Sequence, residues 1–339
     1  MASWSVSNVT RGITLSVPTQ DKNGREFLSV VLKYTFSVNA LGQPTLLDDE
    51  RAEIDLVDTY NGDDPAKASI RRPSQLFDAK PGTDVVLLGH AWAPLGREVT
   101  SVDVSLSMGS VQKTVRAHGF RVWQRGLTGG LTAGPARVIR EPVPLIYELA
   151  WGGQDLSDPE RPVGEPRNYA GRGVARDPSS LVGQPAAVLE YPSSKAGTAA
   201  IPASFSPIHR HWQPRVAYAG TYDETWQETR MPILPEDFDT LFHVCVPEDQ
   251  WSARPLRGDE PIEVLGATPQ GSWRFQLPRL APGFSSVTLG RRAEHRTHLD
   301  TVLIDADAQR VELTWRAAVP LPRKWEMLER VMVFEKEVV

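Results

Sequence analysis

The sequence predicts a mostly β protein: antiparallel sheets packed as a sandwich or barrel-like unit, with a long Pro/Gly-rich irregular insertion and few short helices. Three observations predict it. Apolar and polar residues alternate with a period of two in the first and last thirds, as half-buried strands require. Between them, residues 128–235 hold 14 of the 28 prolines and 11 of the 26 glycines, which excludes long helices and central strands there. Helical periodicity is scarce elsewhere. The 339 residues are therefore read as one domain with an N-terminal β part (1–127), the insertion (128–235) and a C-terminal β part (236–339).

In order along the chain, Ile13, Leu15 and Val17 alternate with polar partners, Asn23-Gly24 supplies a hairpin turn, and Val30, Leu32, Tyr34, Phe36 and Val38 resume the period. Val102, Val104 and Leu106 form the next strand, Met108-Gly109-Ser110 the turn, and Val111 to Ala117 the return, with Phe120 to Trp123 continuing the meander. Such antiparallel strands predict one buried and one wet face. The insertion carries Trp151, Tyr169, Tyr191, Phe205, Trp212, Tyr218, Tyr222 and Trp226, too many aromatics for a solvated linker, so it is expected to be ordered and pinned by them. Strands return at 262–265, 273–277, 301–305, 311–316 and 331–334, and Leu241 to Val246 is strand-like. Short helices are expected at 235–241, where Pro, Glu and Asp suit a first turn, and at 324–330.

Composition narrows the function. A net charge of −5 and a pI near 5.9 provide no cation excess for neutralising phosphates, so nucleic acid is not an expected partner. The first residues lack the basic and apolar regions of a signal peptide, and one cysteine, Cys245, allows no internal disulfide; both predict a reducing, cytoplasmic setting. No apolar run approaches the roughly 18 residues that span a bilayer, Val85-Val86-Leu87-Leu88 being typical, so no membrane association is expected.

Motifs for catalysis are missing from the sequence. It has no Gly-Lys-Ser/Thr phosphate loop and no Gly-x-Ser-x-Gly elbow, and Gly171-Arg172-Gly173-Val174-Ala175-Arg176 lacks the third glycine and preceding strand of a dinucleotide fingerprint. His209 and His211 have the spacing of two metal ligands on one strand face, and His295, His298 and Asp300 could complete a site. Yet Arg210 and Arg296 beside them repel a cation, so no metal and no cofactor is expected. Acidic clusters at Asp48-Asp49-Glu50, Asp63-Asp64, Asp223-Glu224 and Glu236-Asp237-Asp239 suit turns and helix starts better than paired catalytic carboxylates.

Several segments together resemble the bacterial family called domain of unknown function 2169 (DUF2169). They include Arg72-Pro73-Ser74-Gln75-Leu76, Gly89-His90-Ala91-Trp92-Ala93-Pro94, Gly119-Phe120-Arg121-Val122-Trp123, Pro144 to Gly153, Asn168-Tyr169-Ala170-Gly171-Arg172-Gly173, Trp212-Gln213-Pro214-Arg215, Ala219 to Trp226, Arg230 to Asp239 and Leu256 to Glu260. Their order carries the resemblance, which reaches from about residue 25 to about residue 320. Gln75, Phe120 and Tyr169 depart from the residues expected there. The resemblance implies a type VI secretion adaptor or chaperone: a cytoplasmic, non-enzymatic protein that binds a cognate toxic effector, often one joined to a PAAR spike-tip domain, and promotes its loading onto the VgrG spike. It implies no catalytic residues. Trp, Tyr and Arg anchor interface hot spots, so Trp151, Tyr169, Trp212, Arg215, Tyr222 and Trp226 are the candidate partner-binding residues. Two alternatives are a carbohydrate-active β protein, with loop tryptophans stacking on sugars, and a structural baseplate-like component.

Overall fold

A computed structural model describes residues 4–47, 53–127, 129–193, 200–254 and 256–336. The first half contributes β1 (Ser5–Asn8), β2 (Ile13–Gln20), β3 (Glu26–Val38), β4 (Pro44–Leu46), β5 (Thr83–Leu88), β6 (Ser101–Met108), β7 (Val111–His118) and β8 (Leu189–Glu190). After α1 (Glu224–Thr229) come β9 (Trp251–Ser252), β10 (Pro261–Leu265), β11 (Ser272–Gln276), β12 (Pro282–Thr288), β13 (Arg291–His295), β14 (His298–Asp305), β15 (Arg310–Pro320) and β16 (Leu328–Glu335). With 40% of residues in strands and 8% helical, the chain is mostly β, as expected.

The hairpin of β2 and β3 pairs Gln20 with Glu26, and Gly24 takes the positive φ of +73° that its turn requires. Likewise β6 and β7 pair Met108 with Val111 around Gly109. Three sheets dominate. The seven-stranded sheet runs β9-β5-β14-β15-β3-β2 with β4 added on β3; the five-stranded sheet runs β8-β7-β6-β10-β11; the four-stranded sheet runs β1-β16-β12-β13. Short two-stranded ribbons join them, and no sheet closes into a barrel among the described residues. Most pairings are antiparallel. Three are parallel: β5 with β14 and β1 with β16, which tie early strands to late ones, and the short ribbon of Trp151–Gly152 with Arg172–Gly173.

One apolar core lies between the sheets. It takes Leu28, Val30, Leu32, Tyr34 and Phe36 from β3, Val311, Leu313 and Trp315 from β15, Val104 and Leu106 from β6, and Trp273 from β11. Fully burying each such side chain contributes about 1.5–3 kcal/mol. The insertion is part of this core, supplying Leu145, Tyr147, Phe205, Ile208 and Trp212. A satellite cluster joins the insertion to the N-terminal part, packing Trp151 against Trp123 edge to face at 5.9 Å.

Several expectations are corrected. The second face of the seven-stranded sheet is not wet: Lys33, Thr35, Glu312, Thr314 and Arg316 alternate with the core residues and are themselves buried. Residues 53–80 and 243–252 supply partners that cover this face. The meander breaks after β7, where Phe120 is exposed and Trp123–Arg125 pairs instead with Leu131–Ala133. Leu241 to Val246 is not a strand, because Asp239 caps a single 3-10 turn over Thr240–His243. The helix expected at 235–241 is a turn followed by that 3-10 segment. The one expected at 324–330 is a 3-10 turn, Trp325–Met327, running straight into β16. Among the described residues no helix is long and apolar enough to cross a membrane.

Candidate partner-binding surface

The six candidate residues divide by burial. Trp212 is 2% exposed and packs edge to face on Tyr147 at 5.7 Å. Trp151 is buried against Trp123. Arg215 is buried as a clamp: it donates to the Ile208 carbonyl at 2.6 Å and the Phe242 carbonyl at 3.0 Å, with its guanidinium over the Phe242 ring. Desolvation lowers its pKa. These three offer a partner no face in this structure. Tyr169 is half-buried at the mouth of a cleft described below, and Tyr222 and Trp226 lie together on an excursion spanning residues 216–236.

That excursion is an arm on a fixed base. Asp223 caps α1 by accepting from the Trp226 backbone N–H at 2.8 Å, a contribution of about 1 kcal/mol. The Trp226 indole N–H donates to the Ile233 carbonyl at 2.8 Å, and Tyr222 packs edge to face on Trp226 at 4.7 Å. Arg230 donates to the carbonyls of Leu234 and Lys22 and pairs with Glu236, while the Lys22 ammonium donates to the Phe238 carbonyl at 2.9 Å. The arm is thereby latched onto the β2–β3 turn, where Ile233 lies against Gly24. Tyr222, Met231 and Val216 remain 50%, 65% and 38% exposed. These three exposed apolar side chains share one ordered segment.

The ionisable groups that could have supported chemistry are committed elsewhere. Asp84 Oδ2 receives Lys80 Nζ at 2.7 Å, the Cys245 backbone N–H at 2.9 Å and the Cys245 thiol at 3.1 Å. Burial pushes that thiol's pKa well up, so it stays protonated and unreactive. Beside it Arg316 pairs with Asp300 at 3.0 Å, and Lys33 bridges Asp55 and Glu312, which also bind Arg72. In the five-stranded sheet Lys113, its side chain fully buried, has its pKa lowered to about 8 by desolvation against the opposing pull of Asp249.

Among the described residues no group of three or more His, Cys, Asp or Glu is gathered as metal ligands. His209 and His211 lie in a turn, not a strand, with rings 5.3 Å apart. His209 is pushed down to about 4 by desolvation and by the neighbouring His211 and Arg215. His295 hydrogen-bonds Ser286 at 2.8 Å, and Asp300 is taken by Arg316. The acidic clusters serve locally: Asp64 pairs with Lys67, Asp223 and Asp239 cap helical turns, and Asp237 accepts from Thr221. Asp48-Asp49-Glu50 lies outside the described residues.

Fold and surface together define a multi-sheet β protein with a layer of buried ion pairs and a braced arm on which three apolar side chains are exposed. The chain belongs to the DUF2169 family, described as an uncharacterized protein conserved in bacteria, whose model matches residues 23–316. No curated protein and no solved structure matches the chain.

Reasoning from sequence did not single out the buried charged layer, nor the latch of Arg230 and Lys22. The signal for the first was present: Lys33 and Glu312 interrupt runs of strand residues that are otherwise apolar or small. Only the covering segments reveal that their face is buried.

Proposed function

We propose that this protein is a non-enzymatic type VI secretion adaptor that holds a cognate toxic effector in the cytoplasm and promotes its loading onto the VgrG spike. The observation that carries the binding part of this reading is the braced arm, with Tyr222 and Met231 exposed beside Trp226. Adaptors must grip and release. A few aromatic anchors on a pre-ordered segment supply affinity without a large ordering cost, and dissociation then sets the lifetime of the complex. The secretion part rests on what the resemblance to the family implies. The deep ion pairs fit a scaffold more than a reactive centre, because each carboxylate and ammonium is already engaged.

The test is co-purification with the products of neighbouring toxin and spike genes, using the unaltered chain and Y222A, M231A and W226A variants. The expected outcome is a complex with the effector that Y222A and W226A weaken by about 2 kcal/mol each, with melting temperature held for Y222A. A stable Y222A/M231A variant that binds the effector as tightly as the unaltered chain sinks the arm's role. No effector complex at all sinks the adaptor reading.

A further inference from the structure

The Gly171-Arg172-Gly173 segment, which the adaptor reading does not use, lines a cleft of about 560 Å³ together with Lys67, Trp123, Leu156, Tyr169 and Leu181. We infer that this cleft binds a carboxylate attached to an apolar group, presented by a partner polypeptide as an acidic side chain or as its C terminus.

Two residues that line the cleft carry donors without acceptors. Arg172 is half-buried, and among the described residues its guanidinium makes no hydrogen bond or ion pair. Trp123 is 1% exposed, yet its indole N–H has no partner. An unpaired guanidinium on the wall of a cleft is available to an anionic ligand entering it. Buried arginines elsewhere in the chain are satisfied: Arg121 reaches Glu190 and the Ala187 carbonyl, and Arg316 reaches Asp300 and the Gln75 carbonyl. The nearest acidic influence on Arg172 is Glu148, but both Glu148 oxygens accept from Ser69, each at 2.7 Å. Lys67 at the rim is exposed and paired with Asp64, so Arg172 is the cation that selects the ligand. Desolvation lowers its pKa, as expected of a guanidinium awaiting a counter-charge.

The shape favours a carboxylate. A planar guanidinium fork matches two coplanar oxygens, and the Trp123 ring beside it reports on occupancy. Leu156, Leu181 and the Tyr169 ring provide apolar walls for the hydrocarbon that carries it. The floor is rigid: Asn168 Nδ2 donates to the Tyr147 and Trp151 carbonyls, each at 2.9 Å, and Gly171 and Gly173 pass so close to Asn168 and Trp151 that no Cβ fits. A pre-formed site loses little entropy on binding.

The ten tryptophans give indole N–H resonances in nitrogen–proton correlation spectra of the intact chain, and W123F assigns the one from Trp123. Titration with N-acetyl-leucine should move that resonance saturably, whereas N-acetyl-leucinamide, which lacks the charge, should leave it in place. R172Q should weaken the acid by about tenfold or more while the melting temperature holds. Amide-capped N-acetyl-aspartate distinguishes the sources: stronger binding than N-acetyl-leucine assigns the cleft to acidic side chains, weaker binding to a chain terminus. Equal responses to acid and amide, or a response to inorganic phosphate and to no carboxylate, overturn the inference. The acid–amide comparison does not use R172Q, so it decides the matter even where that variant fails to fold.

Discussion

Lys80 shows how the buried charges work at the scale of single residues. Its ammonium and the Asp84 carboxylate are both out of water, so neither is stable without the other. K80M leaves Asp84 with only Cys245 as donor and should cost about 3–5 kcal/mol, read from the denaturation midpoint. Lys113 predicts the opposite sense. Its folded pKa of about 8 lies below the ordinary 10.5, so the unfolded chain holds a proton that the folded chain sheds between these values, and its contribution to stability rises with pH across that window. K113M, which removes a poorly solvated charge, should be neutral or stabilising at pH 7 in thermal melts. His209 acts on the acid side. With a folded pKa of about 4 against 6.5, the unfolded chain takes up a proton first as pH falls from 6.5 to about 4, and stability drops across that range. H209Q should flatten this part of a melting-temperature profile against pH.

Glycines test the elements. At Gly173, φ is +129° and a Cβ would lie 2.3 Å from the Trp151 ring, so G173A carries both backbone strain and a clash, together more than ~2 kcal/mol. At Gly271, φ is +81° with open space around the Cβ position, so G271A carries strain alone, about 1 kcal/mol. Chemical denaturation of the two variants separates packing from conformation, and equal losses would show that the ring of Trp151 yields. Hairpin elements were legible in the sequence because the turn residue and the strand period are local signals. The short helical turns were not: Asp239 and Asp223 cap their segments through local bonds, but those segments and 3-10 turns such as Trp325–Met327 span too few residues to show a period.

For the whole molecule, the decisive feature is that strands distant in sequence are neighbours in space. β3 pairs with β15 along its length, and β5 pairs in parallel with β14. The seven-stranded sheet therefore has no N-terminal half able to close its core alone. A chain ending at residue 297 lacks β14 and β15 and should not fold, giving no near-ultraviolet circular dichroism and no protected amides in β3; native-like protection there would show that the first part is autonomous. Pairings of such sequence separation also predict slow refolding, because loop closure precedes the contacts that offset it.

The amino-acid sequence by itself determined the mostly β class, the two hairpins, the irregular insertion and the family, since periodicity, turn glycines and ordered motif blocks are all readable along one dimension. Tertiary structure alone decided which aromatics are available. Trp212 and Trp226 sit in similar loop sequence, yet one fills the core against Tyr147 and the other stands on the arm with Tyr222. It decided also that Lys33, Glu312 and Arg316 lie on a covered face, and that Arg172 lines a cleft with no acceptor of its own. The physical reason is common to all three: alternation says that a side chain changes face from its neighbour, but burial depends on what packs over that face, and the covering segments come from far along the chain.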